Sequence, residues 1–162
     1  MRFFSRADSA ILLVCTANIC RSPMAEGLLG AALQRSELRD KFRVESAGTH
    51  ASQLGKAPDV RAQRVCLQHG IDIRKCRSRQ VRETDFEDFD FILAMDSQNF
   101  EWLLAACPVP QHHKISRVGA WGNGAEWIDI PDPYFGNEAG FTHVFNLLQV
   151  SVHAFVGAQS LA

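Results

Sequence analysis

Long hydrophobic runs are missing from this chain: nothing in its 162 residues approaches the roughly 18 apolar residues of a membrane span. Excess charge of one sign is missing too. Seventeen Lys and Arg stand against 18 Asp and Glu, for a formal net charge of −1. A broad nucleic-acid footprint would want a clearly basic domain, so nucleic acid is not an expected partner, although a local positive pocket remains open. An even cysteine framework is also absent. The five cysteines (15, 20, 66, 76 and 107) are odd in number and scattered, as free thiols of a reducing compartment would be. A leader is imitated only faintly: Arg2 and Arg6 precede Ala10–Cys15, but Asp8 interrupts them. The apolar core there is about six residues, below the usual 7–15, and Val14 is too bulky for a cleavage position. The expectation is a cytoplasmic protein. Repeats, low-complexity segments and linkers are absent as well, so one domain over 1–162 is expected, with 1–8 a loosely ordered N-terminal extension. A domain of this length buries roughly two thirds of its unfolded surface and needs neither disulfide nor metal to fold.

What is present is alternation. "AILLVC" (Ala10–Cys15) is continuously apolar, as in a strand covered on both faces. After it, Met24, Leu28, Leu29, Ala32 and Leu33 recur at helical spacing, with Ser22 at the N-cap position, Pro23 at the first helical position and Glu26 early in the helix. "FRVESAG" reads as a second strand and "APDVRAQRVCLQHG" as a helix stopped by Gly70. "FDFILAM" (Phe89–Met95) is a third strand, followed by the helix "DSQNFEWLLAAC", for which Asp96 is the N-cap. "HKISRVGAW" is a weaker strand, 122–140 a long loop, and 141–162 a closing amphipathic helix. Strands alternating with helices predict an α/β fold: an open parallel sheet with helices on both faces and ligands beyond the carboxyl ends of the strands.

The loop leaving the first strand there carries Cys15, Cys20 and Arg21. A metal pair would want further Cys or His at ligand spacing, and only His112 and His113 offer themselves, in a proline-flanked loop where a solvated pair is expected. A redox pair is a second possibility. The third is an anion cradle: backbone amides of residues 16–21 turned inward, capped by a helix N-terminus, whose field favours a thiolate at Cys15. Arg21 then matches two oxygens of a phosphate with its planar fork. Ser22 can donate to the sulfur, and Asn18 can tie the loop to itself and tolerate a left-handed turn. Such a thiolate attacks phosphorus in line, and the leaving oxygen needs a proton, which Asp132 in "DIPDPYFG" can supply.

The string Cys15-Thr-Ala-Asn-Ile-Cys-Arg21-Ser-Pro resembles the phosphate loop of the low-molecular-weight protein tyrosine phosphatases. The likeness extends to "SAGT" at 46–49, "HGI" at 69–71, "RQ" at 79–80, "FILAMD" at 91–96 and "DPYFG" at 132–136. It implies a four-stranded sheet of flavodoxin-like order 2-1-3-4 with a phosphate-binding loop after the first strand. It implies hydrolysis of phosphotyrosine and small aryl phosphates through a phosphocysteine, without cofactor or metal. Cys15 is then the nucleophile, Arg21 the phosphate clamp and Asp132 the general acid. Thr16, Ala17, Asn18, Ile19, Cys20 and Ser22 line the phosphate, Tyr134 walls the groove, and Ser46 and Asp96 support the loop. Cys20 either packs or forms a reversible disulfide that guards Cys15, and the resemblance favours the guard. The implied partner is a phosphotyrosine protein, a tyrosine kinase among the candidates, bound by a monomer or weak dimer.

Three positions depart from the family's pattern: Ala17 stands for a usual glycine, Ser52 for an aromatic residue, and Cys76 for a loop-buttressing histidine. Two other activities share this loop. A phosphoarginine phosphatase carries threonine where this chain has Ile19, whose bulk suits an aryl phosphate. Arsenate reductases relay oxidation through a cysteine pair seven positions apart, whereas Cys66 and Cys76 are ten apart. A non-enzymatic phosphate-binding module would be expected to lose Cys15 or Asp132. Cys66 and Cys107 are expected in the core, the tryptophans in core and rim, and the basic run 74–82 on a solvated face.

Overall fold

A computed structural model describes residues 8–122 and 129–161, so the expected N-terminal extension (all but Asp8) and Trp127 lie outside the described residues. Four strands form one parallel sheet in the order β2-β1-β3-β4: β1 Ser9–Cys15, β2 Phe42–Gly48, β3 Phe91–Ala94 and β4 Ile115–Arg117. β1 is central and buried from Ala10 to Cys15, which is why its sequence there is continuously apolar rather than alternating. Its side chains divide by parity. Ile11, Leu13 and Cys15 join the core beneath α1 (Arg21–Gln34), α2 (Val60–Gln68) and α5 (Glu138–Ser160). Ala10, Leu12 and Val14 join a second core with Phe86, Phe89, Ile92 and Leu103, covered by the single turn α3 (Asp85–Asp88) and by α4 (Ser97–Ala106). Helices therefore lie on both faces.

Several elements differ from the reading of the sequence. α1 begins at Arg21, so Ser22 is inside the helix and not its cap; Cys20 holds the cap position with no side-chain cap bond. The Ser22 hydroxyl is used by the loop instead. β3 is four residues and β4 three, because each pairs only where it lies against its neighbour in register. The residues on either side of β4, Val109–Lys114 and Val118–Trp121, wind into 3₁₀ turns rather than extending the strand. α5 starts at Glu138, three residues early, because the Asn137 side chain accepts from the Gly140 amide. Cys107 is buried but sits at the C-cap of α4, not on its face. α2 ends as expected, with Gly70 at φ 74° just beyond it.

Candidate active site

The turn from β1 into α1 places Cys15 at the floor of a cleft of about 330 Å³. The sulfur belongs to a residue only 3% exposed and receives two contacts from its own loop: the Asn18 amide donates at 3.2 Å, and the Ser22 hydroxyl lies 3.1 Å away. The Asn18 Nδ2 already donates to Ser22 Oγ at 2.8 Å, which leaves the Ser22 proton to point at sulfur or at the Ala47 carbonyl, 3.5 Å off. Donors thus converge where a negative sulfur would sit.

Asn18 holds the loop in shape. It sits at φ 58°, the left-handed conformation foreseen for it, and its buried side chain makes three bonds. Nδ2 reaches Ser22 and Ser46 Oγ (2.9 Å), and Oδ1 accepts from the Arg79 amide (2.9 Å). Ser46 Oγ donates onward to Glu26 at 2.5 Å. Burial raises the pKa of Glu26, against the opposing bonds from Ser46 and Cys76. Cys76, in place of a histidine, therefore still touches this network through Glu26. Ala17 has no positive φ, so its Cβ is accommodated without backbone strain. The glycine the loop does require is Gly48 at the end of β2, where a Cβ would stand 2.6 Å from the Thr16 carbonyl oxygen.

Arg21 is 2% exposed at the start of α1. One Nη donates to Asp96 (2.6 Å) and to the Ile130 carbonyl (3.0 Å); the other reaches Thr16 Oγ1 (3.4 Å) and Asp132 Oδ2 (3.5 Å). Burial would lower its pKa, but the Cys15, Asp96 and Asp132 charges reverse this, and the guanidinium is held charged above its ordinary value. Asp96 has a double task, since its other oxygen accepts from the Asn99 amide and caps α4. Asp132 stands at the mouth with its side chain half exposed, its Oδ1 accepting from the Tyr134 amide in a tight turn.

Cys15, Thr16, Ala17, Ile19, Cys20, Arg21, Asp132 and Tyr134 all line the cleft. Asn18, Ser22, Ser46 and Asp96 stand behind the lining and brace it. Cys20 is buried, and burial first, then Asp59, Cys15 and Asp132, drive its pKa far upward, so it rests as a neutral thiol. Reading the sequence missed His50, Gln53 and Phe135 on the cleft wall. His50 and Gln53 flank Ser52, which does line the cleft, so the position after "SAGT" was the available signal. It also missed Asn99, which donates to Thr16 from α4. The basic run is solvated at Arg74, Lys75, Arg77 and Arg82, but Arg79 departs from it, bridging Glu45 (3.1 Å) and Asp85 (2.8 Å) while its amide holds Asn18. Cys66 and Cys76 are pushed up by burial to about 12 each. His112 and His113 direct ring nitrogens to the Cys107 and Pro110 carbonyls of their own loop.

Comparison with known proteins agrees with this geometry. A family model described as low molecular weight phosphotyrosine protein phosphatase matches residues 10–162. The chain is 37% identical over 142 residues to the low molecular weight phosphotyrosine protein phosphatase of Gallus gallus, covering 84% of this chain and 86% of that one. The Homo sapiens protein of the same name is 33% identical over 157 residues, covering 93% and 96%. A crystal structure of a protein tyrosine phosphatase from Entamoeba histolytica superposes with a TM-score of 0.90 at 33% identity, covering 94% and 97%. With a matched sequence from β1 through α5 and a shared fold around the Cys15 loop, the chain belongs to the low molecular weight phosphotyrosine protein phosphatase family.

Proposed function

We propose that this protein hydrolyses phosphotyrosine in proteins, and small aryl phosphates, through a phosphocysteine at Cys15. The observation that carries the reading is the Cys15 sulfur, beneath the Asn18 amide and Ser22 hydroxyl, in one cleft with Arg21 and Asp132. The thiolate attacks phosphorus and forms the S–P bond as the P–O bond to the tyrosyl oxygen breaks. Arg21 and the loop amides carry the charge on the equatorial oxygens. Asp132 gives its proton to the departing phenolate. Water then attacks phosphorus, Asp132 takes the water's proton, and the thiolate leaves, aided by the Ser22 hydroxyl. None of these steps draws on a cofactor.

Depth and lining favour an aryl phosphate. The nucleophile lies at the floor of the cleft, and Ile19, Tyr134 and Phe135 supply apolar wall for a ring. Ser52, where an aromatic residue is usual, leaves one wall polar. Arsenate reduction is disfavoured because Cys66 is fully enclosed on α2 and both distal thiols are pushed up to about 12, poor donors for a disulfide relay. Five free cysteines support a reducing, cytoplasmic location, and no described helix is long and apolar enough to cross a membrane.

Steady-state hydrolysis of aryl phosphates by wild type, Cys15→Ser and Asp132→Ala tests the reading. Cys15→Ser is expected to be inactive. Asp132→Ala is expected to lose about 10²-fold or more in kcat/KM on a poor leaving group. Wild type that leaves aryl phosphates intact while reducing arsenate with thioredoxin would overturn the phosphatase reading.

A further inference from the structure

Asp132 rides on an exposed turn, yet proton transfer needs its carboxyl held within hydrogen-bond reach of the leaving oxygen. Among the described residues, two hydrogen bonds reach the backbone of that turn from outside, both from Arg61 in the first turn of α2. Nη2 donates to the Tyr134 carbonyl at 3.0 Å and Nη1 to the Gly136 carbonyl at 3.1 Å. The same guanidinium is gripped from below by Asp59, with Nε on Oδ1 at 3.0 Å and Nη2 on Oδ2 at 2.9 Å. Its faces meet rings: the guanidinium carbon lies 4.5 Å from the centroid of Phe141 and 5.7 Å from that of Tyr134.

Asp59 in turn is fastened to the phosphate loop. Its amide donates to the Ile19 carbonyl at 3.0 Å, and its Oδ1 caps α2 through the Arg61 amide. A continuous hydrogen-bonded path therefore runs from Ile19, in the nucleophile's loop, through Asp59 and Arg61, to the backbone on the far side of Asp132. The planar fork is needed for this: it satisfies a carboxylate on one edge and two carbonyls on another, which an ammonium on a flexible stem cannot do at once.

We propose that Arg61 is a positioning residue for proton transfer, holding the Asp132 turn at a set height over the Cys15 loop. The inference rests on the reading of Asp132 as the general acid. Arg61 acts through that acid, so its removal is felt where the leaving group needs a proton. A simple brace for α2 and α5 would instead affect all substrates alike.

The test compares kcat/KM for phenyl phosphate, a poor leaving group, with p-nitrophenyl phosphate, a good one. Arg61→Ala is expected to lose about tenfold on phenyl phosphate, a part of the acid's full contribution, and less than about threefold on p-nitrophenyl phosphate. Arg61→Lys, unable to span both carbonyls, falls between. Inhibition by inorganic phosphate, which needs the loop but no acid, stays as in wild type. In an Asp132→Ala background, removing Arg61 costs nothing further on phenyl phosphate. Equal losses on both substrates, or additive losses in the double variant, overturn the proposal. Asp132→Ala acting alike on both substrates removes the acid assignment and the proposal with it. Asp132→Ala discriminating while Arg61→Ala does not removes the proposal alone. Should Arg61→Ala fail to fold, Arg61→Lys and Arg61→Gln carry the same comparison.

Discussion

Glu26 is a residue whose environment is at odds with its chemistry. It is a carboxyl placed beneath the phosphate loop, and burial raises its pKa, with Ser46 and Cys76 only partly opposing. A folded-state value above the unfolded one means that its contribution to stability is intact below the ordinary glutamate range. It is lost as pH rises through the raised value. Glu26→Gln abolishes that loss, so the Tm difference, variant minus wild type, is expected to become more positive between about pH 4 and pH 7. Thermal melts across that range check it; a difference that shrinks with pH would show the carboxylate to be favoured in the fold. Cys20 provides a second test at this scale. If Cys20 guards the nucleophile, the sulfenic acid that peroxide forms at Cys15 condenses with the Cys20 thiol, releasing water and forming a disulfide that a reductant reopens. Wild type treated with peroxide is expected to regain activity with dithiothreitol, and Cys20→Ala to regain markedly less, read as residual activity after each treatment.

At the scale of elements, α4 and the phosphate loop share one carboxylate. Asp96 caps α4 with one oxygen and pairs with Arg21 through the other. Asp96→Asn keeps an acceptor for the cap, whereas Asp96→Ala removes it, at a cost of about 1 kcal/mol in stability. Denaturant unfolding is expected to rank the variants wild type, Asn, then Ala, while both raise KM because Arg21 loses its anchor. A stable Asp96→Ala with unchanged KM would show that Arg21 is oriented by its other partners alone. The same sharing explains what was hidden at this scale. Asp96 between a strand and a helix was legible as a cap because Asp there is local chemistry, but the Arg21 pair spans 75 positions, beyond any local pattern. The Ser22 cap was misread for a related reason: the tertiary loop claims its hydroxyl, and α1 starts at Arg21 without a side-chain cap.

For the molecule as a whole, a near-neutral net charge conceals a focused anion site. Arg21, the Asn18 amide and the start of α1 lie together at the carboxyl end of the central strand. An oxyanion that binds only the folded chain stabilises it by mass action, about 2.7 kcal/mol at a hundred times its Kd. Inorganic phosphate or vanadate is expected to raise Tm in wild type and to leave Arg21→Ala unmoved, as melts over a concentration series would read. A rise retained in Arg21→Ala would place the binding elsewhere.

The order of strands and helices, the central buried strand, and the Cys15–Arg21 loop were all written locally. Apolar runs, spacing and the nine-residue string need no distant partner to be recognised. Asn18's residue type allowed the left-handed turn it adopts. What only the tertiary structure decided lies between segments far apart in the chain. Arg79 bonds Asn18 across 61 positions, and Arg61 reaches the Asp132 turn across 73 and 75. Gly48 must lack a side chain because the Thr16 carbonyl lies against it. Periodicity reports which face of an element is covered, but which polar group meets which is settled only when β1, β2 and α2 bring those groups together around the cleft.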